Sequence, residues 1–203
     1  MEHSTNQIRL RGALASPPQF SHENHGRRFF RFFLEVPRLS GAVDTLPVIA
    51  EEALLEQTPV REAQWLTVTG QIRSHNQRTE GRRHLMIFVF AAALACEEGE
   101  PENEVYLEGF LCREPTYRRT PLGREICDVM LAVPRAFRRG DYLPCILWGR
   151  TAVEGSQCHT RDKIAITGRL QSRIYTKLTE DGAQERTAYE ISALSAQFPA
   201  TEI

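Results

Sequence analysis

Lysine is nearly missing from this chain. Of its 25 basic residues only Lys163 and Lys177 are lysine, and the rest are arginine. Arginine offers a planar fork that stacks on flat rings and grips phosphate at two points, although an arginine-rich genome would leave the same mark. Net charge is almost absent too: the formal value is -1, so bulk charge points to no polyanionic partner. Long apolar runs are lacking. The longest, Leu85 to Cys96, is too short to span a bilayer and long enough for a buried strand. The segment Met1 to Gln7 is polar and has no apolar signal core. The cysteines Cys96, Cys112, Cys127, Cys145 and Cys158 are odd in number and form no C-x-x-C pair. Reduced, mostly buried thiols in a cytoplasmic protein are expected, with no disulfide framework and no zinc site. What remains is ordinary for a packed chain: 41% apolar and 25% charged residues, which excludes disorder throughout.

Catalytic constellations are equally scarce. His22-Glu23-Asn24-His25 spaces two histidines by three, whereas a zinc protease needs H-E-x-x-H on one helix face. Cys158 and His159 are adjacent, so on an extended chain they point apart, and no orienting acid is evident. No G-x-x-x-x-G-K phosphate loop occurs. The expectation is a non-enzyme with no metal and no cofactor.

The chain does contain a repeat. Residues 6–49 align with residues 103–146 without a gap, at an offset of 97, and 15 of the 44 positions are identical. Matches include Gly12/Gly109, Pro18/Pro115, Gly26/Gly123, Val36-Pro37-Arg38/Val133-Pro134-Arg135 and Asp44/Asp141. At an offset of 98 the register resumes with Thr69-Gly70/Thr167-Gly168 and Ser74/Ser172. The protein is two copies of one unit, and the domains are expected at 1–96 and 105–203. Between them, residues 97–104 carry five acids around a Gly and a Pro and read as a solvated linker. That linker conceals a bias. Residues 1–95 hold 11 basic and 9 acidic residues, and residues 103–198 hold 14 and 12, so each half is +2.

Each unit reads as strands. In copy two, Val105–Leu111, Ile126–Val133, Tyr142–Trp148, Ile164–Ser172 and Thr187–Leu194 alternate apolar and polar residues. The segment Thr151–His159 has room for one or two helical turns, and the last two strands are joined by a polar hairpin with Asp181-Gly182. Copy one keeps this order, with a clearer helix near Ala50–Gln57. Five strands with a short helix between the third and fourth is the plan of an OB-fold. The predicted fold class is therefore all-β: two tandem OB-folds, each a five-stranded Greek-key barrel.

Copy two resembles the bacterial single-stranded DNA-binding protein family. The residues that carry the likeness are Asn103-x-Val105-x-Leu107-x-Gly109-x-Leu111, Pro115, Arg118, Thr120-Pro121, Leu131-Ala132-Val133, Asp141-Tyr142-Leu143-Pro144, Trp148-Gly149-Arg150, Ile166-Thr167-Gly168-Arg169-Leu170-Gln171-Ser172-Arg173 and Tyr189-Glu190-Ile191. The resemblance implies sequence-tolerant binding of single-stranded DNA by base stacking in a basic groove, serving replication, repair or recombination in the cytoplasm near the nucleoid. It places the usual aromatic positions on Phe137, Tyr142, Trp148 and Tyr175. The residues agree in part. Tyr142 and Trp148 stand six apart, which on a regular strand is one face, leaving Leu143, Cys145 and Leu147 for the core. Packing of Trp148 and Tyr142 into the barrel is the competing reading. Aromatics interleaved with cations suit a single-strand groove. The phosphate candidates are Arg118, Arg150, Arg173 and Lys177, then Arg138, Arg139 and Arg169.

Copy one has no such set. The repeat maps the four aromatic positions onto Ser40, Thr45, Glu51 and about Gln77. Copy one is therefore expected to serve assembly, with Phe20, Arg27, Arg73, Arg78, Arg82 and Arg83 as its own candidates for contact. The resemblance implies four barrels, which a homodimer would supply, while the chain end Gln197–Ile203 lacks the acidic, Phe-ending tip through which relatives recruit replication and repair proteins. An adaptor resembling the primosomal OB-fold proteins, or a single-stranded RNA binder, remains an alternative.

Overall fold

A computed structural model describes residues 4–79, 82–179 and 182–198. In the first unit the strands are β1 (Asn6–Leu14), β2 (Gln19–Asn24), β3 (Arg27–Pro37), β4 (Val43–Glu51), β5 (Trp65–Thr79) and β6 (Arg82–Ala95), with helix α1 (Glu52–Gln57) between β4 and β5. The second unit repeats them as β7 (Glu102–Leu111), β8 (Thr116–Arg119), β9 (Glu125–Arg135), β10 (Arg139–Trp148), helix α2 (Arg150–Gly155), β11 (Lys163–Thr179) and β12 (Gly182–Gln197). Among the described residues no helix is long and apolar enough to cross a membrane.

Alternation builds the barrels. Along β1 every second residue from Asn6 to Leu14 is buried, and β7 follows the same rhythm from Val105. Leu10, Leu34, Leu46 and Val68 are fully buried in the first core; their repeat partners Leu107, Leu131, Leu143 and Ile166 are fully buried in the second. Each barrel closes by pairing its third long strand in parallel with its last, Val48 opposite Val89 and Cys145 opposite Ile191. The repeated glycines make closure possible. A Cβ on Gly12 would sit 2.2 Å from the Glu35 carbonyl oxygen, and one on Gly109 would sit 2.5 Å from that of Ala132. These are the points where the first strand bends across onto the third, and only glycine fits there.

Each barrel also gains one short strand beyond the five expected, β2 and β8, paired on the outer edge of β3 and β9. In the second unit the turn into β9 carries Gly123 at a φ of +78°, with Thr120 N donating to the Arg124 carbonyl at 2.9 Å.

The two barrels are fused into one 12-stranded sheet by the antiparallel pair β1–β7, with Ile8 opposite Val105. That pairing absorbs part of the stretch read as a linker. Glu102–Glu104 already belong to β7, because the register places Glu104 opposite Arg9 and Glu102 opposite Arg11. Arg9 Nε donates to Glu102 at 2.6 Å, Arg11 pairs with the same carboxylate, and Glu97 accepts from Thr67 Oγ1 at 3.0 Å. Opposite charges facing each other across strands stabilise the pair.

The fusion has approximate two-fold symmetry. Asn6 brackets Ile72 with both ends of its amide, at 2.7 and 2.8 Å, and Asn103 does the same to Leu170, at 2.6 and 2.9 Å. Across the interface Asp44 accepts from Ser172 N at 2.7 Å, and within its own barrel it accepts from Arg38 Nε at 2.7 Å. Its counterpart Asp141 accepts from Ser74 N at 2.8 Å and from Arg73 Nη1 at 3.0 Å. Both carboxylates are fully buried. Such groups are tolerated only when donors surround them, so each fixes the docking of the opposite barrel.

Candidate nucleic-acid interface

Strand β10 positions the aromatics. Leu143, Cys145 and Leu147 point into the core and are buried, while Tyr142 is exposed and Trp148 half-buried on the other face. Trp148 Nε1 donates to Ser192 Oγ on β12 at 3.0 Å, which fixes the indole plane. The ring borders a groove of about 700 Å3 that also takes in Arg150 and Arg169. Arg169 Nε is buried there and has no hydrogen-bond partner among the described residues. An orphaned buried donor calls for an explanation, and an anionic oxygen in the groove supplies one.

Two further arginines in this groove escaped the sequence reading. Arg124 comes from the turn before β9, and Arg38 reaches in from the first barrel, its Nη2 donating to the Ser172 carbonyl at 3.1 Å. The repeated triplets Val36-Pro37-Arg38 and Val133-Pro134-Arg135 were the available signal, but only the docking of the barrels shows where Arg38 goes.

The other aromatics lie outside this groove. Tyr175 is on β11, 37% exposed, with the Arg173 guanidinium 5.7 Å from its ring centre. Phe137 is 95% exposed in the 3-10 turn Ala136–Arg138 before β10. Its φ of 60°, and the 55° of Arg138, are left-handed values that bulky side chains rarely adopt. Strain of this kind persists where the surrounding structure holds it, often at functional sites.

The predicted cations separate into two groups. Arg118 is held by Asp128 at 2.7 Å, Arg150 by Glu154 at 2.7 Å, and Arg173 lies 3.5 Å from Glu190. Arg138, Arg139 and Arg169 have no ion-pair partner among the described residues. The side chains of Lys177, Arg78, Arg82 and Arg83 lie outside the described residues.

In the first barrel the equivalent position is closed. Glu51 stands where the second barrel has Trp148, and Arg27, the repeat of Arg124, makes a bidentate pair with it. The Arg27 hydrogen bond holds the Glu51 carboxyl below the ordinary carboxylate range. Arg28 is likewise paired, with Glu52. The structure also places the two motifs set aside in the sequence. His22 stacks on Phe29 at 4.9 Å and Cys158 is buried, but one expectation is corrected: His159 has an acid beside it, Glu114, 3.3 Å from its Nδ1 and 45 residues away in sequence. Among the described residues no cluster of His, Cys, Asp and Glu could hold a metal ion.

Two OB-fold barrels fused through their first strands, one with an aromatic and arginine groove, define a class of tandem OB-fold proteins. Comparison with known proteins narrows it. The profile described as Single-strand binding protein family matches residues 102–199, the second barrel. Single-stranded DNA-binding protein B of Bacillus subtilis is 35% identical over 80 residues, which are 36% of this chain and 71% of that protein. Single-stranded DNA-binding protein 2 of Listeria innocua is 33% identical over 104 residues, 47% of this chain and 63% of that protein. The chain belongs to the single-strand binding protein family. Its first barrel is reached by structure instead. The wild-type single-stranded DNA binding protein from Thermus aquaticus superposes with a TM-score of 0.78 at 23% identity, covering 96% of this chain and 92% of that one. That likeness shows that the tandem fold is shared.

Proposed function

We propose that this protein binds single-stranded DNA with little regard to sequence and protects it during replication, repair or recombination. The observation that carries the reading is the Trp148 groove, where an indole locked by Ser192 is surrounded by Arg38, Arg124, Arg150 and Arg169. Every base has a flat face, so stacking on Trp148 is indifferent to sequence, while the guanidinia take the phosphates. Tyr142, Tyr175 and Phe137 extend the platform. Arg138, Arg139 and Arg173 are the further candidates to hold the phosphates, and Arg118 joins them only by releasing Asp128. The first barrel, with Glu51 and Arg27 paired, has no stacking groove of its own and serves assembly; the chain's two barrels and the family resemblance support a homodimer of four.

The test is competition for a labelled dT oligonucleotide by poly-dT, poly-U and duplex DNA. Displacement by poly-dT well ahead of the other two supports the reading. Equal displacement by poly-U points to an RNA binder, and the absence of any binding points to an adaptor.

A further inference from the structure

Arg38 is shared between the barrel interface and the Trp148 groove. Its Nε donates to Asp44 at 2.7 Å; its Nη2 donates to the same carboxylate and, at 3.1 Å, to the Ser172 carbonyl of the other barrel. Nη1 has no partner among the described residues, and the side chain lines the groove. A planar fork anchored through two of its nitrogens loses little freedom when the third takes a phosphate oxygen. Arg150 differs, with a side chain 91% exposed and paired with Glu154 on its own short helix. Around Arg38 the interface is tightly knit. Ser172 N donates to Asp44 at 2.7 Å, Ser172 Oγ donates to it at 3.2 Å, and Thr45 N donates to Ser172 Oγ at 3.3 Å.

The two-fold symmetry of the fusion fails at this point. On the other side Asp141 is held by Arg73, which reaches across from the first barrel at 3.0 Å. The repeat of Arg73 at an offset of 98 is Gln171, which turns to Glu190 at 3.2 Å instead. Among the described residues Arg38 is therefore the only cation on Asp44, and it is the one that faces the groove. Arg38 is held against Ser172, at the edge of the groove, only while the barrels are docked. A ligand that uses Arg38 there binds the docked state better, and by linkage it must stabilise docking in return. We propose that DNA binding and barrel docking are linked through Arg38: a phosphate on Nη1 fixes the guanidinium in the position that clamps Asp44 to Ser172. The inference rests on the function proposed above and adds to it. The first barrel completes the second barrel's groove, and the bound strand holds the two barrels together.

The experiment is amide hydrogen exchange of the full chain, read residue by residue by NMR, with and without a dT oligonucleotide of about eight residues, the size of one barrel's site. With DNA, Ser172 N and Thr45 N should exchange several-fold more slowly, while Ser74 N, which donates to Asp141 in the opposite contact, should not change. Arg38→Ala should bind the oligonucleotide about tenfold more weakly, with a log–log salt slope smaller by about 0.7. At saturating DNA that variant should show no added protection at Ser172 N. Arg38→Lys keeps the charge without the fork, so it should keep the salt slope and lose the protection; it carries the test if Arg38→Ala fails to fold. Unchanged affinity and slope in Arg38→Ala, whatever its melting temperature, overturns the proposal and leaves Arg38 a docking residue alone. Protection at Ser172 N that survives in either saturated variant, or that appears equally at Ser74 N, overturns it too. Failure of the native chain to bind dT overturns the parent reading instead.

Discussion

Arg169 and Arg118 show why counting arginines is a poor guide to a binding surface. Arg118 already has a carboxylate, Asp128, at 2.7 Å and must give it up or share it to hold a phosphate. Arg169 keeps a buried donor without a partner in the groove beside Trp148. Arg169→Ala should therefore weaken binding of a dT oligonucleotide at low salt and reduce the log–log salt slope by about 0.7. Arg118→Ala should change both much less. Affinities measured across a salt series check this, and equal losses would mean that Asp128 does not hold Arg118 in solution. Phe137 makes the opposite trade. Its left-handed backbone costs stability and its ring is bare to solvent. Phe137→Gly should leave thermal stability unchanged or raise it by about 1 kcal/mol while lowering DNA affinity. A clear loss of stability would show that the ring is packed. The thiols provide a third check. Burial pushes Cys127 up to about 11, and Cys145 and Cys158 are buried too, whereas Cys96 and Cys112 are exposed. A thiol reagent near neutral pH should label two cysteines in the folded protein and five in denaturant.

At the scale of elements, legibility followed alternation. The long strands were readable because one face of each is buried, and the repeat then supplied the second copy. β2 and β8 were not, since all of Gln19–Asn24 and Thr116–Arg119 are exposed and carry no burial rhythm. The acidic stretch was read as solvated because its partners, Arg9 and Arg11, lie some 90 residues away and meet it only through the β1–β7 register. The same register explains why Arg38 was missed: its place in the groove depends on how one barrel docks on the other. By contrast Trp148, Arg150 and Arg169 were visible in the sequence, and the structure gathers them in one groove. The docking itself makes a prediction. Asp141 is fully buried and holds Ser74 and Arg73 of the opposite barrel. Asp141→Ala leaves those donors unpaired and should cost about 3–5 kcal/mol in denaturant unfolding. A cost below about 1 kcal/mol would mean that the barrels dock without it.

For the whole molecule, the two barrels differ in how their charges are used. The chain is -1 overall, and acids pair the arginines of the first barrel's closed groove and the β1–β7 seam, whereas in the second barrel's groove Arg38 and Arg150 are paired with Asp44 and Glu154 while Arg124 and Arg169 have no ion-pair partner among the described residues. Tandem duplication lets one copy lose its stacking platform while keeping Gly12, Asp44 and Gly70, which hold the frame. Two tryptophans make the central claim measurable, Trp148 in the groove and Trp65 at the start of β5. The decisive titration adds poly-dT to the protein and to its Trp148→Phe variant, following intrinsic tryptophan fluorescence at low and high salt. Stoichiometric quenching at low salt, relieved at high salt and nearly abolished in the variant, is the predicted result. Binding without quenching, or equal quenching in the variant, would contradict stacking of bases on Trp148.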